Sequence, residues 1–168
     1  MNRATATPLD AIRLLVLDVD GVLTDGRLYY GPQGEELKVF HVRDGLGLRQ
    51  LQRIGIAVAV ISGRSAAAVE LRCLELGITM IEQGVEDKVA ALDRLCAEGG
   101  FSPFEALCVV DDSTDLPLAR AVGFSVAVAD AHATVRDVVN RVTTLRGGRG
   151  AVREVCDWLI AARAAGRA

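Results

Sequence analysis

The residues best placed to do chemistry fall in four short groups. They are Asp18-Val19-Asp20-Gly21-Val22-Leu23-Thr24-Asp25-Gly26, Ser62-Gly63-Arg64, the single Lys88, and Asp111-Asp112-Ser113-Thr114-Asp115. Asp18 and Asp20 follow an apolar run and share one rim, and like charges held close cost free energy unless a proton or a cation is shared. Asp111, Asp112 and Asp115 raise that cost until a metal is needed to offset it. The donors are all oxygen, with no Cys or His alongside, so the cation is a hard one. Mg²⁺ suits few carboxylates plus a phosphate. The Ser62 hydroxyl, nearby backbone N–H groups and the Lys88 ammonium are donors for phosphate oxygens. The chemistry implied is phosphoryl transfer by positioning and electrostatics, with an aspartate as covalent nucleophile.

Each signal is ordinary when taken alone. Turns are rich in Asp, Ser62-Gly63 suits any strand-to-helix turn, and an Asp111-Asp112 pair can simply cap a helix. A lone Lys88 would normally be a solvated helix residue. Together they differ from chance, because all four arrive in a compatible order, each at the end of an expected strand or the start of an expected helix. The basic residues add a compositional hint. Of 19, 17 are Arg, and only Lys38 and Lys88 are Lys. A compact ammonium serves a phosphoryl group where a guanidinium fork does not, which gives Lys88 a reason to be Lys. It gives none for Lys38.

The elements that must hold these groups follow from the apolar pattern. Runs at 14–19, 56–61, 78–81, 107–110 and 126–128 have the look of buried strands, and 46–54, 65–76, 88–97 and 115–122 carry apolar residues at helical spacing. Strand and helix in alternation imply a Rossmann-like α/β fold, a parallel sheet with helices on both faces. Ligand sites in such sheets lie outside the carboxyl ends of the strands, where all four groups fall. One segment breaks the alternation. Arg27-Leu28-Tyr29-Tyr30 and Glu36-Leu37-Lys38-Val39-Phe40 flank Gly31-Pro32-Gln33-Gly34, so an inserted β-hairpin is expected at about 26–41. An isolated hairpin is marginal in water, so its apolar side chains need cover from the body or, preferably, from another subunit. A Gly147-Gly148-Arg149-Gly150 loop and a last helix close the expected single domain, at about 147–164.

Composition removes several functions. A length of 168 residues is a one-domain length able to bury a core without disulfides, and a net charge of −3 with 4% aromatics disfavours nucleic-acid binding. The longest apolar runs fall far short of the roughly 20 residues that span a bilayer. No membrane partner is expected. Met1 to Ile12 lack the apolar core of a signal peptide, and Cys73, Cys96, Cys108 and Cys156 are scattered without metal or disulfide spacing. A cytoplasmic location with reduced thiols is expected. His41 and His132 have no metal-ligand pattern around them.

Asp18-Val19-Asp20-Gly21-Val22, Ser62, Lys88 and Asp111-Asp112-Ser113-Thr114-Asp115 resemble, in order, the four motifs of the haloacid dehalogenase superfamily of phosphatases. Further stretches are similar to the 3-deoxy-D-manno-octulosonate 8-phosphate phosphatase family: Gly34-Glu35-Glu36-Leu37-Lys38-Val39-Phe40, Val42-Arg43-Asp44-Gly45, Val126-Ala127-Val128-Ala129-Asp130-Ala131-His132, and Gly147-Gly148-Arg149-Gly150-Ala151-Val152-Arg153-Glu154. The resemblance covers about residues 12–162. It implies a capless Mg²⁺-dependent phosphatase, tetrameric through its hairpins, acting on a sugar-acid phosphate of lipopolysaccharide synthesis. It also assigns roles. Asp18 is the nucleophile and Asp20 the acid and base. Asp18, the Asp20 backbone carbonyl and Asp111 hold the metal, with Asp112 and Asp115 ordering its surroundings. Ser62, Gly63 and Lys88 hold the phosphoryl group, and Arg64 and Arg149 meet the polar groups of the substrate. The family usually has Gly before the acidic pair, where this chain has Val110.

Three rival readings remain open at this point. One is a phosphatase for a nine-carbon sugar acid 9-phosphate of the sialic type. Another is a receiver-like phospho-accepting module, whose acidic pair follows the first strand instead of arriving late as here. The last is a structural homologue whose site is impaired by Val110.

Overall fold

In the computed structural model, which describes residues 6–32 and 34–166, the first apolar run becomes strand β1 (Leu14–Leu17), buried along its whole length. Two short strands follow, β2 (Tyr29–Gly31) and β3 (Gly34–Leu37), paired antiparallel as a separate two-stranded sheet. Gln33, in the expected turn between them, lies outside the described residues, as do residues 1–5 and 167–168. The remaining strands are β4 (Ala57–Ser62), β5 (Met80–Gln83), β6 (Ala106–Val110), β7 (Phe124–Ala127) and a two-residue edge, β8 (Arg141–Val142). Apart from the hairpin, all pair in parallel in the order β5-β4-β1-β6-β7-β8.

That order puts β1 at the centre, and each fully buried Leu or Val there stabilises the fold by about 1.5–3 kcal/mol. From β1 the chain moves outward to β4 and β5, then returns to β6 on the other side of β1. The return creates a crevice at the carboxyl ends of β1 and β6, the switch point where open parallel sheets bind ligands.

The helices are α1 (Val42–Arg53), α2 (Ala67–Leu76), α3 (Lys88–Gly99), α4 (Leu116–Ala121), the single turn α5 (Ala133–Arg136) and α6 (Ala151–Ala165). α1 packs on α6, and α3 packs on α4. β1 and β6 are wholly buried between these layers. Among the described residues no helix is long and apolar enough to cross a membrane.

Several boundaries differ from the sequence expectation, for physical reasons. β1 stops at Leu17 because Val19–Leu23 coils into one wide turn, closed by a bond from the Thr24 N–H to the Val19 carbonyl. α1 starts at Val42 rather than 46. Gly45 and Gly47 weaken the helix signal; a Cβ on Gly47 would crowd the Cys156 Cβ and the Arg153 side chain of α6, whereas one on Gly45 would meet chiefly the movable end of Arg72. β5 lies two residues later than its apolar run, at Met80–Gln83, where it pairs with the second half of β4. β8 has no apolar pattern of its own and is defined only by pairing with β7. The four cysteines are buried free thiols, as small core hydrophobes should be.

Candidate active site

The register of β1 on β6 sets Leu17 beside Val109, and the Asp18 N–H donates to the Val109 carbonyl at 3.2 Å. The chains then diverge, leaving Asp18 and Asp111 facing each other across the crevice. On the other side, Leu17 pairs with Val60, so Ser62 ends β4 at the same rim. Lys88 arrives from α3, whose start is fixed by Asp87: its carboxylate accepts from the Val89 and Ala90 N–H groups at 2.9 and 3.0 Å. The result is a cavity of about 420 Å³ lined by Asp18, Asp20, Ser62, Gly63, Arg64, Lys88, Asp111 and Asp112. Every residue that the sequence assigned to catalysis or to metal lies here or directly behind it.

Lys88 is the hub of the buried half. Its ammonium donates to Asp18 Oδ1 at 2.7 Å and to Asp115 Oδ1 at 2.6 Å, with the Asp115 side chain only 1% exposed. Burial opposes the lysine's charge, but the two carboxylates outweigh it and hold its pKa above the ordinary value. Asp115 also accepts from the Asp111 and Asp112 N–H groups at 3.4 and 3.5 Å. It therefore orders Lys88 and the acidic loop together. Asp112, by contrast, folds onto its own turn, accepting from the Ser113 N–H at 2.5 Å and the Ser113 hydroxyl at 3.1 Å. For that residue helix capping is what the structure shows, although the side chain also borders the cavity.

Carboxylate oxygens of Asp18, Asp111 and Asp115 lie within 4.8 Å of one another. One ammonium cannot balance three such charges. Burial first, then the charges of Asp18, Asp115 and Asp112, push Asp111 up to about 8. Burial raises Asp18 to about 6, with Lys88 pulling down and Asp115 pushing up. Two carboxyls driven toward protonation in an oxygen-only pocket fit a hard divalent cation, which would replace the protons.

Gly21 makes the close approach possible. It adopts φ +87°, and a Cβ there would collide with the Asp111 carboxylate. The Thr24 hydroxyl pins the same turn, donating to the Val19 carbonyl and accepting from the Gly21 and Gly26 N–H groups at 3.3–3.4 Å. The C-terminal loop is wedged against it. The Gly148 N–H donates to the Val22 carbonyl at 2.8 Å, and a Cβ on Gly147 would strike the Gly21 carbonyl. Asp130 holds the Gly147 N–H at 3.0 Å, and buried Asp44 accepts from the Arg153 N–H at 2.8 Å, fixing the start of α6. Thr24, Asp44 and Asp130 are positioning groups that motif reading did not single out. The partners of Asp44 and Asp130 lie 109 and 17 residues away, where no local spacing reveals them, whereas those of Thr24 lie within five residues of it.

The second aspartate is held differently. Asp20 Oδ1 receives the Lys38 ammonium at 2.6 Å, and Oδ2 lies 3.5 Å from Arg64 Nε. Arg64 Nη2 in turn donates to the Tyr30 hydroxyl of the hairpin at 3.4 Å. Lys38, for which the sequence offered no role, thus reaches the site.

Arg149 does not line this cavity. Its guanidinium donates to Asp25 at 2.9 Å, and it borders a neighbouring hollow of about 630 Å³ with His41 and Trp158. Val110 does not line it either. Its side chain is fully buried in regular β6, and no non-glycine among the described residues has positive φ, so the position needs none of the freedom of Gly. The missing Gly therefore costs the backbone nothing at this position.

No protein-family model matches the chain. Individual relatives do. The 3-deoxy-D-manno-octulosonate 8-phosphate phosphatase of Escherichia coli is 51% identical over 152 residues, covering 90% of this chain and 81% of that protein. The solved structure of the phosphatase of the same name from Yersinia pestis superposes with a TM-score of 0.91 at 48% identity, covering 94% of this chain and 85% of the other. That from Moraxella catarrhalis, in complex with magnesium, phosphate and KDO, superposes with a TM-score of 0.90 at 42% identity, covering 94% and 90%.

Proposed function

Because the chain belongs to the 3-deoxy-D-manno-octulosonate 8-phosphate phosphatase family of the haloacid dehalogenase superfamily, we propose that it hydrolyses that sugar-acid phosphate through an aspartyl-phosphate on Asp18. The observation that carries the reading is the convergence of Asp18, Asp20, Ser62, Lys88 and Asp111 on one cavity at the switch point of the sheet.

Asp18, Asp111 and the Asp20 backbone carbonyl would hold Mg²⁺, which when bound supplies positive charge for the phosphoryl oxygens and keeps both carboxyls ionised. Lys88 and the Ser62 hydroxyl, with the Gly63 and Arg64 loop, hold the other phosphoryl oxygens. An Asp18 oxygen attacks phosphorus as the P–O bond to the sugar breaks, and Asp20 gives its proton to the departing alkoxide. Water then attacks the aspartyl-phosphate. Asp20 takes its proton, the Asp18–phosphorus linkage breaks and inorganic phosphate leaves. Asp115 keeps Lys88 aimed. Arg64 meets the substrate beyond the phosphate, while Arg149 keeps such a role only by leaving Asp25.

A single domain carries this chemistry. Its hairpin supports a tetramer: Tyr30 is 66% exposed, Leu37 60% and Val39 57%, and both short strands have unpaired edges. Four buried free thiols support a cytoplasmic setting.

The test is phosphate release with Mg²⁺ from 3-deoxy-D-manno-octulosonate 8-phosphate against a sialic acid 9-phosphate. A kcat/KM at least about tenfold higher for the eight-carbon ester is expected, a difference of about 1.4 kcal/mol in transition-state binding. The opposite order would move the chain to the nine-carbon substrate.

A further inference from the structure

The two lysines of this arginine-rich chain sit on the two aspartates of one motif: Lys88 on Asp18 and Lys38 on Asp20. Lys38 follows directly on β3, and its neighbours Leu37 and Val39 turn outward while its own side chain is only 2% exposed. Alternation along an extended segment thus aims one side chain inward, and that side chain is the cation. It ends 2.6 Å from Asp20 Oδ1. Among the described residues the other oxygen, Oδ2, is buried and accepts no hydrogen bond, with Arg64 Nε 3.5 Å away. One oxygen is tethered and the other is left for a proton in transit.

We propose that Lys38 is a positioning residue for the leaving-group step: the hairpin delivers its ammonium to one oxygen of Asp20 and so aims the other at the ester oxygen. The fold needs no charge there for the phosphoryl half of the site, which Lys88 already serves. A lysine fits where an arginine does not, because a single oxygen at the foot of a narrow insertion takes a point charge better than a planar fork. The inference rests on the reading of Asp20 as acid and base. It adds that the hairpin contributes to catalysis through a named contact.

The experiment compares two esters in the full-length enzyme with Mg²⁺. The sugar phosphate releases an alkoxide that needs a proton, whereas p-nitrophenyl phosphate releases a stable phenolate that does not. Because kcat/KM reports the steps through loss of the leaving group, a misaimed acid harms only the first ester. In Lys38→Met, kcat/KM for the sugar phosphate is expected to fall about 100-fold, within the usual range for a general acid, and that for the aryl ester less than about fivefold. Lys38→Gln keeps the length and a neutral donor, and carries the same comparison if the Met variant fails to fold. Equal losses on both esters, or no loss on either, would overturn the proposal. An unmodified enzyme that hydrolyses neither ester would instead overturn the phosphatase reading on which it rests.

Discussion

The Asp18 half and the Asp20 half of the site each pair one aspartate with one lysine, yet they are built from different material. Asp18, Lys88, Asp111 and Asp115 come from strand ends and a capped helix start of the α/β body, and Asp18 and Asp115 are almost wholly buried. Asp20 is held by an insertion and by Arg64, whose side chain is 44% exposed, with Tyr30 beyond it more exposed still. The body half is fixed by the same register that makes the sheet. The hairpin half depends on a two-stranded ribbon whose apolar side chains face outward. On the proposed mechanism, the phosphoryl-holding half is therefore preorganised by folding, and the leaving-group half by whatever holds the hairpin in place.

The largest effect should come from the shared step. Asp18→Asn removes the proposed nucleophile, and turnover of both alkyl and aryl phosphates is expected to fall by at least about 10⁴-fold. An unchanged rate in steady-state assays would sink the covalent mechanism. Lys88→Met comes next. It strips a donor from the phosphoryl group, so both esters should lose about 10²–10³-fold in kcat together. It also leaves Asp18 and Asp115 buried without their counter-charge, at a cost of about 3 kcal/mol in metal-free stability. If Lys88→Met discriminated between the esters as Lys38→Met is expected to, the two halves would not be distinct.

The same division explains what the sequence disclosed. Asp18, Asp20, Ser62, Lys88 and Asp111 were legible because each ends an apolar run or opens a helical one, and a parallel sheet collects such ends at one rim. The role of Lys38 was not legible. Alternation says only that it faces away from Leu37 and Val39, and the hairpin's fold onto Asp20 is a long-range matter. Arg149 shows the converse. Its motif is local, but its guanidinium is spent on Asp25, 124 residues away, outside the carboxylate cavity. Asp115 was expected in the metal's surroundings, and it stands there, in the three-carboxylate cluster; its bonds to Lys88 and to the loop backbone are detail that no motif spells out. In α1, close packing against α6 favours a glycine at Gly47 where a helix signal wants alanine, and with Gly45 beside it the start was hidden.

The smallest effect isolates the body half without any mutation. Asp111 is raised from its ordinary 3.8 to about 8 by burial first and then by the neighbouring carboxylates, and Asp18 from 3.8 to about 6 by burial, with Lys88 pulling down and Asp115 pushing up. A carboxyl raised on folding binds its proton more tightly in the native state, so its contribution is complete below about pH 4 and is lost as pH climbs through the native value. For the metal-free protein, stability should fall as pH rises from 4 to 8. Above pH 6 the contribution of Asp18 fades and Asp111 carries most of the slope, which approaches about 1 kcal/mol per unit. Thermal melts in a chelator should show it as a Tm dropping about 2–4 °C per unit. Mg²⁺ binds the ionised carboxyls and competes with the protons, so its stabilisation should grow over the same interval and flatten the slope. Asp111→Asn should flatten it as well, by removing the group, while Lys38→Met should leave it unchanged because Asp20 lies outside the three-carboxylate cluster. A metal-free Tm that rose between pH 6 and 8 would mean that the Asp111 carboxyl is already ionised there, and the case for a cation held by crowded carboxylates would lose its electrostatic ground.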